Sequence, residues 1–168
     1  VVTYSCVALG DRRGMIEVVP ECMSIAAIEG SASRALSKLP VVQHLEGLLQ
    51  RNEAGVGTWS EIIQNFTETL AGACVFEYLL GVGDRHGDNI LLRRNGDIFH
   101  IDFGYLMGNK TYFAGVPRET QPFTLTPAFL EVFGGVESRF YSDFARLCCD
   151  AYVAVRKHHV LLTGVAML

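Results

Sequence analysis

The sequence lacks the features that would place it in a bilayer or on nucleic acid. Its apolar runs fall short of the ~20 residues of a membrane-spanning helix, since residues 70–80 are interrupted by Glu77. The net charge is −4, so no overall positive potential attracts nucleic acid, and we predict no nucleic-acid partner and only local contacts with lipid. Residues 1–4 include neither an initiator Met nor the basic lead of a signal peptide, and we interpret them as the start of a fragment.

The five cysteines show neither a CxxC motif nor a spacing typical of a metal site. Cys148 and Cys149 are adjacent, and an odd number of cysteines argues against a framework of disulfides. We therefore predict buried free thiols in a reducing compartment, in keeping with a cytoplasmic location. The sequence has no internal repeat and no low-complexity segment.

The composition is that of one domain with a dense core. Hydrophobic residues make up 49% and charged residues 19% of the 168 residues, which excludes a disordered tail. Residues 4–9 and 15–19 are rich in β-forming residues and are separated by Gly10 and Gly14, which predicts a hairpin. The pattern alone leaves open that these are simply apolar strands packed in a core.

Helices are predicted where apolar residues recur at helical spacing behind a capping residue. Thr58 and Glu61 form a capping-box pattern before a helix that Gly81 would end, and Thr126 with Pro127 opens another. The expected helices cover residues 23–28, 41–49, 58–80, 126–133, 138–158 and 160 onward.

Residues 81–104 carry most of the chemistry. Asn95-Gly96 lies between two apolar runs, and this dipeptide is typical of a two-residue hairpin turn. In a loop of that length Asn89 would face Asp102, which brings an amide oxygen and a carboxylate together at the open end of the hairpin. Hard cations such as Mg²⁺ prefer such oxygen ligands, so we predict that Asn89 and Asp102 bind the metal. For this pair alone, the alternative is a surface hairpin with polar ends.

Two further elements extend this pattern. Asp84 lies five residues before Asn89, as in the catalytic loop of protein kinases, and Asp102 begins a DFG element. The order here is Asp84-Arg85-His86, so the histidine follows the aspartate instead of preceding it. With Gly-Val-Gly before it and His-Ile-Asp-Phe-Gly after it, this order resembles the phosphatidylinositol 3-/4-kinase superfamily, and within it most of all the phosphoinositide 3-kinases.

The resemblance implies an α+β fold with a protein-kinase-like C-lobe that is mostly helical and contains a catalytic-loop hairpin. Residues 1–19 would be the end of the N-lobe and the hinge, and residues 20–168 a C-lobe truncated at its C-terminus. The side chains or backbone groups that it implies for ATP binding are those of Met15, Ile16, Glu17, Val18, Val19 and Ile101.

The resemblance also implies roles in phosphoryl transfer. Asp84 would orient or deprotonate the attacking hydroxyl, and His86 would share that work or stabilise phosphate charge. Arg85, grouped with them as a catalytic-loop residue, is expected to hold the loop by donating to backbone carbonyls. His100 is expected to support the site without taking part in catalysis. The implied cofactors are ATP and Mg²⁺ or Mn²⁺, the metal being held by the asparagine–aspartate pair described above.

The implied function is that of a phosphatidylinositol 3-kinase, which transfers the ATP γ-phosphate to the 3-hydroxyl of the inositol ring in phosphoinositide signalling or membrane traffic. Between Gly104 and Thr126 the only cations are Lys110 and Arg118, which we assign to the substrate loop. Because each ring phosphate needs a cationic partner, we predict a preference for phosphatidylinositol or its monophosphate over the bisphosphate. The implied partners are this lipid, at the plasma or endosomal membrane, and a regulatory or adaptor subunit.

Two other functions stay open at this point. The superfamily includes phosphatidylinositol-3-kinase-related Ser/Thr protein kinases, which share the DRH and DFG elements, although residues 113–126 resemble the lipid kinases. A non-catalytic scaffold with the same fold is the second, because neither a glycine-rich phosphate loop nor an N-lobe lysine precedes the hinge in this chain. For the same reason we predict that the chain on its own is inactive.

Overall fold

The computed structural model describes residues 2–11, 13–31, 39–51, 55–109, 112–117 and 121–160, and these form an α+β fold. The helices are α1 (Ile25–Ser31), α2 (Pro40–Gln50), α3 (Trp59–Leu80), α4 (Pro127–Val132) and α5 (Arg139–Lys157). The strands are β1 (Cys6–Gly10), β2 (Arg13–Ile16), β3 (Cys22–Ser24), β4 (Ile90–Arg93), β5 (Ile98–His100), β6 (Tyr112–Phe113) and β7 (Val116–Pro117). They pair into three small antiparallel sheets, β1–β2, β3–β4–β5 and β6–β7.

Strands β1 and β2 form the hairpin that the sequence predicts, with Cys6 opposite Ile16. Every residue of both strands is exposed, so the alternative of apolar strands packed in a core is wrong for this hairpin. The second strand ends at Ile16, earlier than the predicted residue 19.

Helix α3 is the central element of the core. The Thr58 side chain accepts from the Glu61 N–H, and the Glu61 carboxylate accepts from the Thr58 N–H at 2.7 Å, which confirms the capping box. Gly81 ends the helix in the left-handed conformation with φ 56°, as predicted. Phe66 of α3 is fully buried, and its ring meets that of Phe129 from α4 at 5.6 Å in an edge-to-face contact.

The helices that follow begin at their predicted caps. The Thr126 hydroxyl accepts from the Phe129 N–H at the start of α4, and the Ser138 hydroxyl accepts from the Tyr141 N–H at the start of α5. Helix α5 packs along α3. Its Phe144 is buried and lies against Phe133, at the end of α4, with a ring separation of 5.2 Å. The helix predicted from residue 160 onward falls mainly on residues 161–168, which lie outside the described part of the chain.

The sequence misassigned the segment around Met23. A helix was predicted over residues 23–28, whereas Cys22–Ser24 forms strand β3 and α1 begins only at Ile25. Met23 pairs with Leu92 of β4, so a strand distant in the sequence determines its conformation. Helix α2 agrees with the predicted patch over residues 41–49, and its Val41 is fully buried.

The hairpin β4–β5 has a three-residue loop, and the predicted two-residue turn is wrong. Ile90 pairs with His100 and Leu92 with Ile98, one position away from the expected register. The Arg93 N–H donates to the Asp97 carbonyl at 2.8 Å, and Gly96 adopts φ 92°, the arrangement of a three-residue loop with a left-handed last residue.

Contacts with α3 account for this loop. A Cβ on Gly96 would lie 2.3 Å from the Ile62 carbonyl oxygen, so only glycine fits between the turn and the helix. The Asn65 side chain, one turn further along α3, donates to the Asn95 carbonyl at 2.9 Å. Both contacts come from residues about thirty positions earlier in the chain. The Asn95-Gly96 pattern reflects only local turn preferences, so it cannot predict the effect of these contacts on the loop length.

The cysteines are free thiols, as predicted, but not all of them are buried. Cys74 is buried, whereas Cys6 and Cys149 are exposed, which corrects the sequence-based expectation. Burial raises the pKa of the Cys74 thiol, and the nearby Glu77 carboxylate raises it further. Burial also raises the pKa of Cys148 to about 11. Among the helices described here, none has the length and apolar character needed to cross a membrane.

Candidate active site

The site lies where α3 ends and the β4–β5 hairpin opens. Residues 82–86 run from the end of α3 to a single 3₁₀ turn, Gly87–Asn89, which leads into β4. Asp84 has φ 60° and Asp102 has φ 57°, both in the left-handed region of backbone conformation that residues other than glycine rarely occupy. Such residues each cost about 1–3 kcal/mol and persist where the surrounding structure holds them, often at functional sites. Both aspartates predicted to act on ATP and substrate have this backbone.

Arg85 holds the two halves of the site together. Its side chain is buried, with Nε donating to the Gly83 carbonyl at 2.9 Å and Nη1 to the Ile101 carbonyl at 2.8 Å. Nη2 donates to the Asp102 carbonyl. The guanidinium also lies 5.5 Å from the centre of the Phe103 ring, within the range of a cation–π contact. These contacts are those expected of a residue that fixes the catalytic loop against the DFG element.

Asp84, His86 and Asn89 form one cluster. The His86 Nε2 atom lies 3.8 Å from Oδ2 of Asp84 and 3.3 Å from Nδ2 of Asn89. The side-chain Nδ2 of Asn89 donates to the backbone carbonyl of Asp84 at 2.9 Å and fixes the turn between the two residues. The His86 ring is half-exposed, so it can meet a substrate while its other nitrogen, Nδ1, accepts from the Asp88 N–H at 3.2 Å.

The predicted metal ligands do not face each other across the hairpin. In the observed register Asn89 lies opposite Ile101, whose N–H donates to the Asn89 carbonyl at 3.0 Å, so the cross-strand argument is wrong. Asp102 follows directly and is exposed, with Oδ1 accepting from the Gly104 N–H at 3.2 Å.

At this end of the hairpin Asn89 is buried, at 7% exposed, and Asp102 has an exposed carboxylate. Amide and carboxylate oxygens suit Mg²⁺, which usually takes one or two protein carboxylates together with phosphates and water. Within the described ranges no group of three or more His, Cys, Asp or Glu side chains forms a self-contained metal site. A metal at this place would therefore take further oxygen ligands from a bound phosphate or water.

The segment predicted to contact ATP is exposed and partly bonded within the chain. Met15, Ile16 and Val18 are 58%, 68% and 87% exposed, respectively. The Glu17 N–H donates to the Ser5 carbonyl at 2.9 Å, and its carboxylate accepts from the Ser5 N–H, which lowers the Glu17 pKa.

The Val19 carbonyl accepts from the Cys22 thiol. Of the backbone groups expected to meet the adenine, the Glu17 N–H and the Val19 carbonyl are thus already engaged. Ile101 is half-buried, with its N–H and its carbonyl bonded to Asn89 and Arg85, so only its side chain is available to a nucleotide.

Tyr4 ties this N-terminal segment to the rest of the site. Its hydroxyl donates to the His100 carbonyl at 3.1 Å, and its ring lies 6.2 Å from that of Phe99. Partial burial raises the Tyr4 pKa, so the hydroxyl keeps its proton and acts as a donor. The segment before β1 is thereby attached to the strand that leads to Asp102.

One buried acidic side chain, Glu77, was not predicted as part of the site. Its Oε1 atom lies 2.9 Å from Nδ1 of His100, and the two side chains are 1% and 3% exposed. Its other oxygen, Oε2, accepts from the Thr124 N–H at 2.6 Å. The available signal was a lone glutamate on the apolar face of α3, three residues after Cys74, which the analysis treated only as an interruption of a hydrophobic run. The support predicted for His100 thus has a partner that was not foreseen.

The two cations assigned to the substrate loop, Lys110 and Arg118, lie outside the described residues. The loop begins on the end of α3, because the Met107 N–H donates to the Leu80 carbonyl at 2.7 Å and the Gly83 N–H to the Tyr105 carbonyl at 2.8 Å. Its middle contains the short β6–β7 hairpin, which the sequence pattern did not predict.

Comparisons with known proteins agree with this geometry. The sequence profile of the family described as phosphatidylinositol 3- and 4-kinase matches residues 1–166. Phosphatidylinositol 3-kinase 3 of Dictyostelium discoideum is 40% identical over 163 residues, which is 95% of this chain and 9% of that protein. Phosphatidylinositol 3-kinase 1 of the same organism is 40% identical over 166 residues, 96% of this chain and 10% of that protein.

A human relative extends the comparison to a second organism. The human phosphatidylinositol 4-phosphate 3-kinase C2 domain-containing subunit beta is 35% identical over 173 residues, 99% of this chain and 10% of that protein. The chain spans about a tenth of the length of these three relatives. The profile match covers nearly the whole chain, including the DRH and DFG elements whose geometry is described above. The chain belongs to the phosphatidylinositol 3- and 4-kinase family.

Proposed function

We propose that the protein is a phosphatidylinositol 3-kinase that transfers the γ-phosphate of ATP to the 3-hydroxyl of an inositol ring. The observation that carries this proposal is the pair of aspartates, Asp84 and Asp102, held with left-handed backbone by one buried arginine, Arg85. All the catalytic-loop and DFG residues present in the chain are intact, which argues against a scaffold that has lost catalysis. The relatives at 35–40% identity are named as phosphatidylinositol 3-kinases, which favours a lipid over a protein substrate.

The domain assignment is part of the proposal. Residues 1–19 are the end of an N-lobe and the hinge, and residues 20–168 belong to a C-lobe with a protein-kinase-like arrangement that continues beyond this chain. The exposed apolar faces of β1 and β2 support this assignment, because Val7, Leu9 and Met15 are each at least half exposed. The remaining N-lobe strands would cover them.

In the proposed reaction, Asp84 accepts the proton of the attacking 3-hydroxyl or orients it. His86, 3.8 Å from that carboxylate, donates to phosphate oxygens as their charge develops. Arg85 keeps both in register with Asp102 and is a positioning residue. Phosphoryl transfer depends almost entirely on such positioning and on electrostatic stabilisation, and this is what a rigid loop supplies.

Asn89 and Asp102 are the residues that would hold Mg²⁺ or Mn²⁺, the first through its side-chain oxygen and the second through its exposed carboxylate. When bound, the metal neutralises charge on the ATP phosphates. The adenine is expected to lie along residues 15–19, where Val18 is 87% exposed, and against the Ile101 side chain.

The substrate is expected to carry few ring phosphates. Lys110 and Arg118 are the only cations between Gly104 and Thr126, and Glu119 offsets part of their charge. The human relative's name specifies phosphatidylinositol 4-phosphate, which has one ring phosphate. We therefore propose phosphatidylinositol or its monophosphate as substrate, met at the cytoplasmic surface of the plasma or endosomal membrane. We also propose that the protein has a regulatory or adaptor subunit as a partner.

The test is a lipid kinase assay on the complete protein with phosphatidylinositol, its 4-phosphate and its 4,5-bisphosphate in matched vesicles. The wild type should form the 3-phosphorylated product, and Asp102→Asn should lower kcat by about a thousandfold while the circular dichroism spectrum stays unchanged. Asp97→Asn, a carboxylate at the closed end of the same hairpin, is the matched control and should retain activity. A wild type that phosphorylates none of the three lipids would refute the proposal.

A further inference from the structure

Helix α3 bonds both backbone groups of Thr124, the residue at which the substrate loop ends. Oε2 of Glu77 accepts from the Thr124 N–H at 2.6 Å, and the Cys74 thiol lies 3.8 Å from the Thr124 carbonyl oxygen. Cys74 and Glu77 are three positions apart, so they lie on one face of the helix. This pair fixes the position of Thr124 relative to α3.

Stability does not explain why a carboxylate occupies position 77. Oε1 of Glu77 lies 2.9 Å from Nδ1 of His100, but the contact lacks the geometry of a regular hydrogen bond. The His100 Nε2 atom is buried and has no hydrogen-bond partner among the described residues. Replacing a buried ion pair by apolar side chains of similar size is often neutral or stabilising, and an unsatisfied buried nitrogen is costly. The arrangement therefore calls for a role other than holding the fold together.

Strand β5 has several supports besides its contact with Glu77. His100 pairs with Ile90 in the β4–β5 ladder, and its carbonyl accepts from the Tyr4 hydroxyl at 3.1 Å. The Ile98 N–H donates to the Thr69 hydroxyl at 2.9 Å. For Thr124, by contrast, the two bonds described both come from α3. Loss of the Glu77 carboxylate would thus release the loop end and leave the strand before Asp102 in place.

Both ends of the loop are attached to the same end of α3. The first end is held by the Leu80 carbonyl, which accepts from Met107, and by the Gly83 N–H, which donates to Tyr105. The second end is held by Glu77 through Thr124. Both stems of the loop are therefore fixed to the protein body, and loop functions usually depend on such a scaffold.

We propose that Glu77 is a positioning residue for the lipid substrate: it anchors the C-terminal end of the segment 105–124 to α3 and so places the substrate loop. This rests on the proposed function, in which that loop receives the inositol headgroup. Because β5 has its ladder and its bonds to Tyr4 and Thr69 besides the contact with Glu77, loss of Glu77 is expected to raise KM for the lipid and to leave ATP binding unchanged.

The test compares Glu77→Leu with Glu77→Gln in the complete protein. Leucine has no acceptor for the Thr124 N–H, and glutamine keeps a side-chain oxygen of the same reach. Glu77→Leu should raise KM for phosphatidylinositol in vesicles by about tenfold, the effect of losing a hydrogen bond to a charged group. KM for ATP should stay unchanged, and Glu77→Gln should restore most of the lipid KM. If Glu77→Leu fails to fold, Glu77→Asp, with a carboxylate one methylene shorter, should show the same split.

Hydrogen–deuterium exchange measures whether the end of the loop at Thr124 is held to α3, independently of enzymatic activity. In Glu77→Leu or Glu77→Asp, amides of residues 121–126 should exchange faster, while those of residues 98–102 should not change. An unchanged lipid KM, an equal rise in both KM values, or unchanged exchange at residues 121–126 would each overturn the inference. A wild type without lipid kinase activity would refute the proposed function itself, and faster exchange at residues 121–126 would then support an anchor but overturn its role in lipid binding.

Discussion

Removing the Arg85 guanidinium should loosen the candidate active site by an amount that the structure allows us to work out. The side chain is buried and donates to the carbonyls of Gly83, Ile101 and Asp102. Bonds from a charged donor contribute about 1.5–3 kcal/mol each, so three independent bonds would sum to about 5–9 kcal/mol. The bonds share one side chain, and the exposed backbone at Asp102 regains water, so we expect about 3 kcal/mol for Arg85→Met.

This change is measured as local opening by native-state hydrogen exchange in the complete protein, because exchange reports the free energy of opening residue by residue. A loss of about 3 kcal/mol corresponds to exchange about 150-fold faster. The acceleration should be confined to residues 82–89 and 101–104. Arg85→Lys keeps the charge but not the planar set of donors, so its exchange rates should lie between those of the wild type and those of Arg85→Met.

Arg146→Met is the matched control for this experiment. Arg146 pairs with Asp143 and Asp150 on the exposed surface of α5, where its side chain is 61% exposed. Surface pairs of this kind contribute about 0–1 kcal/mol, so exchange in the site should not change. Exchange within about twofold of wild type at residues 82–89 in Arg85→Met would refute the reasoning, since it corresponds to less than about 0.5 kcal/mol.

Three further predictions follow from the loop, the turn and the domain assignment. Gly96→Ala should lower the thermal unfolding midpoint of the domain, because the added Cβ would lie 2.3 Å from the Ile62 carbonyl oxygen. Gly115 has a similar positive φ but open space around it, so Gly115→Ala should lower the midpoint less. Equal midpoints for the two variants would contradict this reasoning. Pro117→Lys with Thr120→Arg should shift the ratio of lipid kinase rates towards the bisphosphate, because two cations are added for its second ring phosphate; a wild type already faster on the bisphosphate would refute the proposed preference. The 168-residue chain alone should not phosphorylate lipid, since it contains no glycine-rich phosphate loop and no N-lobe lysine before the hinge, and ATP-dependent product from it would contradict that prediction.

Local signals in the sequence predicted the parts of the fold that depend on neighbours within one or two helical turns. Thr58 and Glu61 form a capping box, Thr126 caps α4 and Gly81 ends α3, because each of these contacts joins residues at most four positions apart. The order Asp84-Arg85-His86 and the DFG element likewise identified the family, since both are continuous motifs.

Tertiary contacts determined what these signals could not. The hairpin register follows from Gly96 lying against Ile62 and not from the Asn95-Gly96 pattern, and the shift of one residue separates Asn89 from Asp102 in the ladder. Glu77 meets His100 and Thr124 only because a helix, a strand and the end of a loop converge on one buried point. Local preferences act through bonds between residues close in the chain, whereas register and buried charge pairs depend on side chains brought together from tens of residues apart.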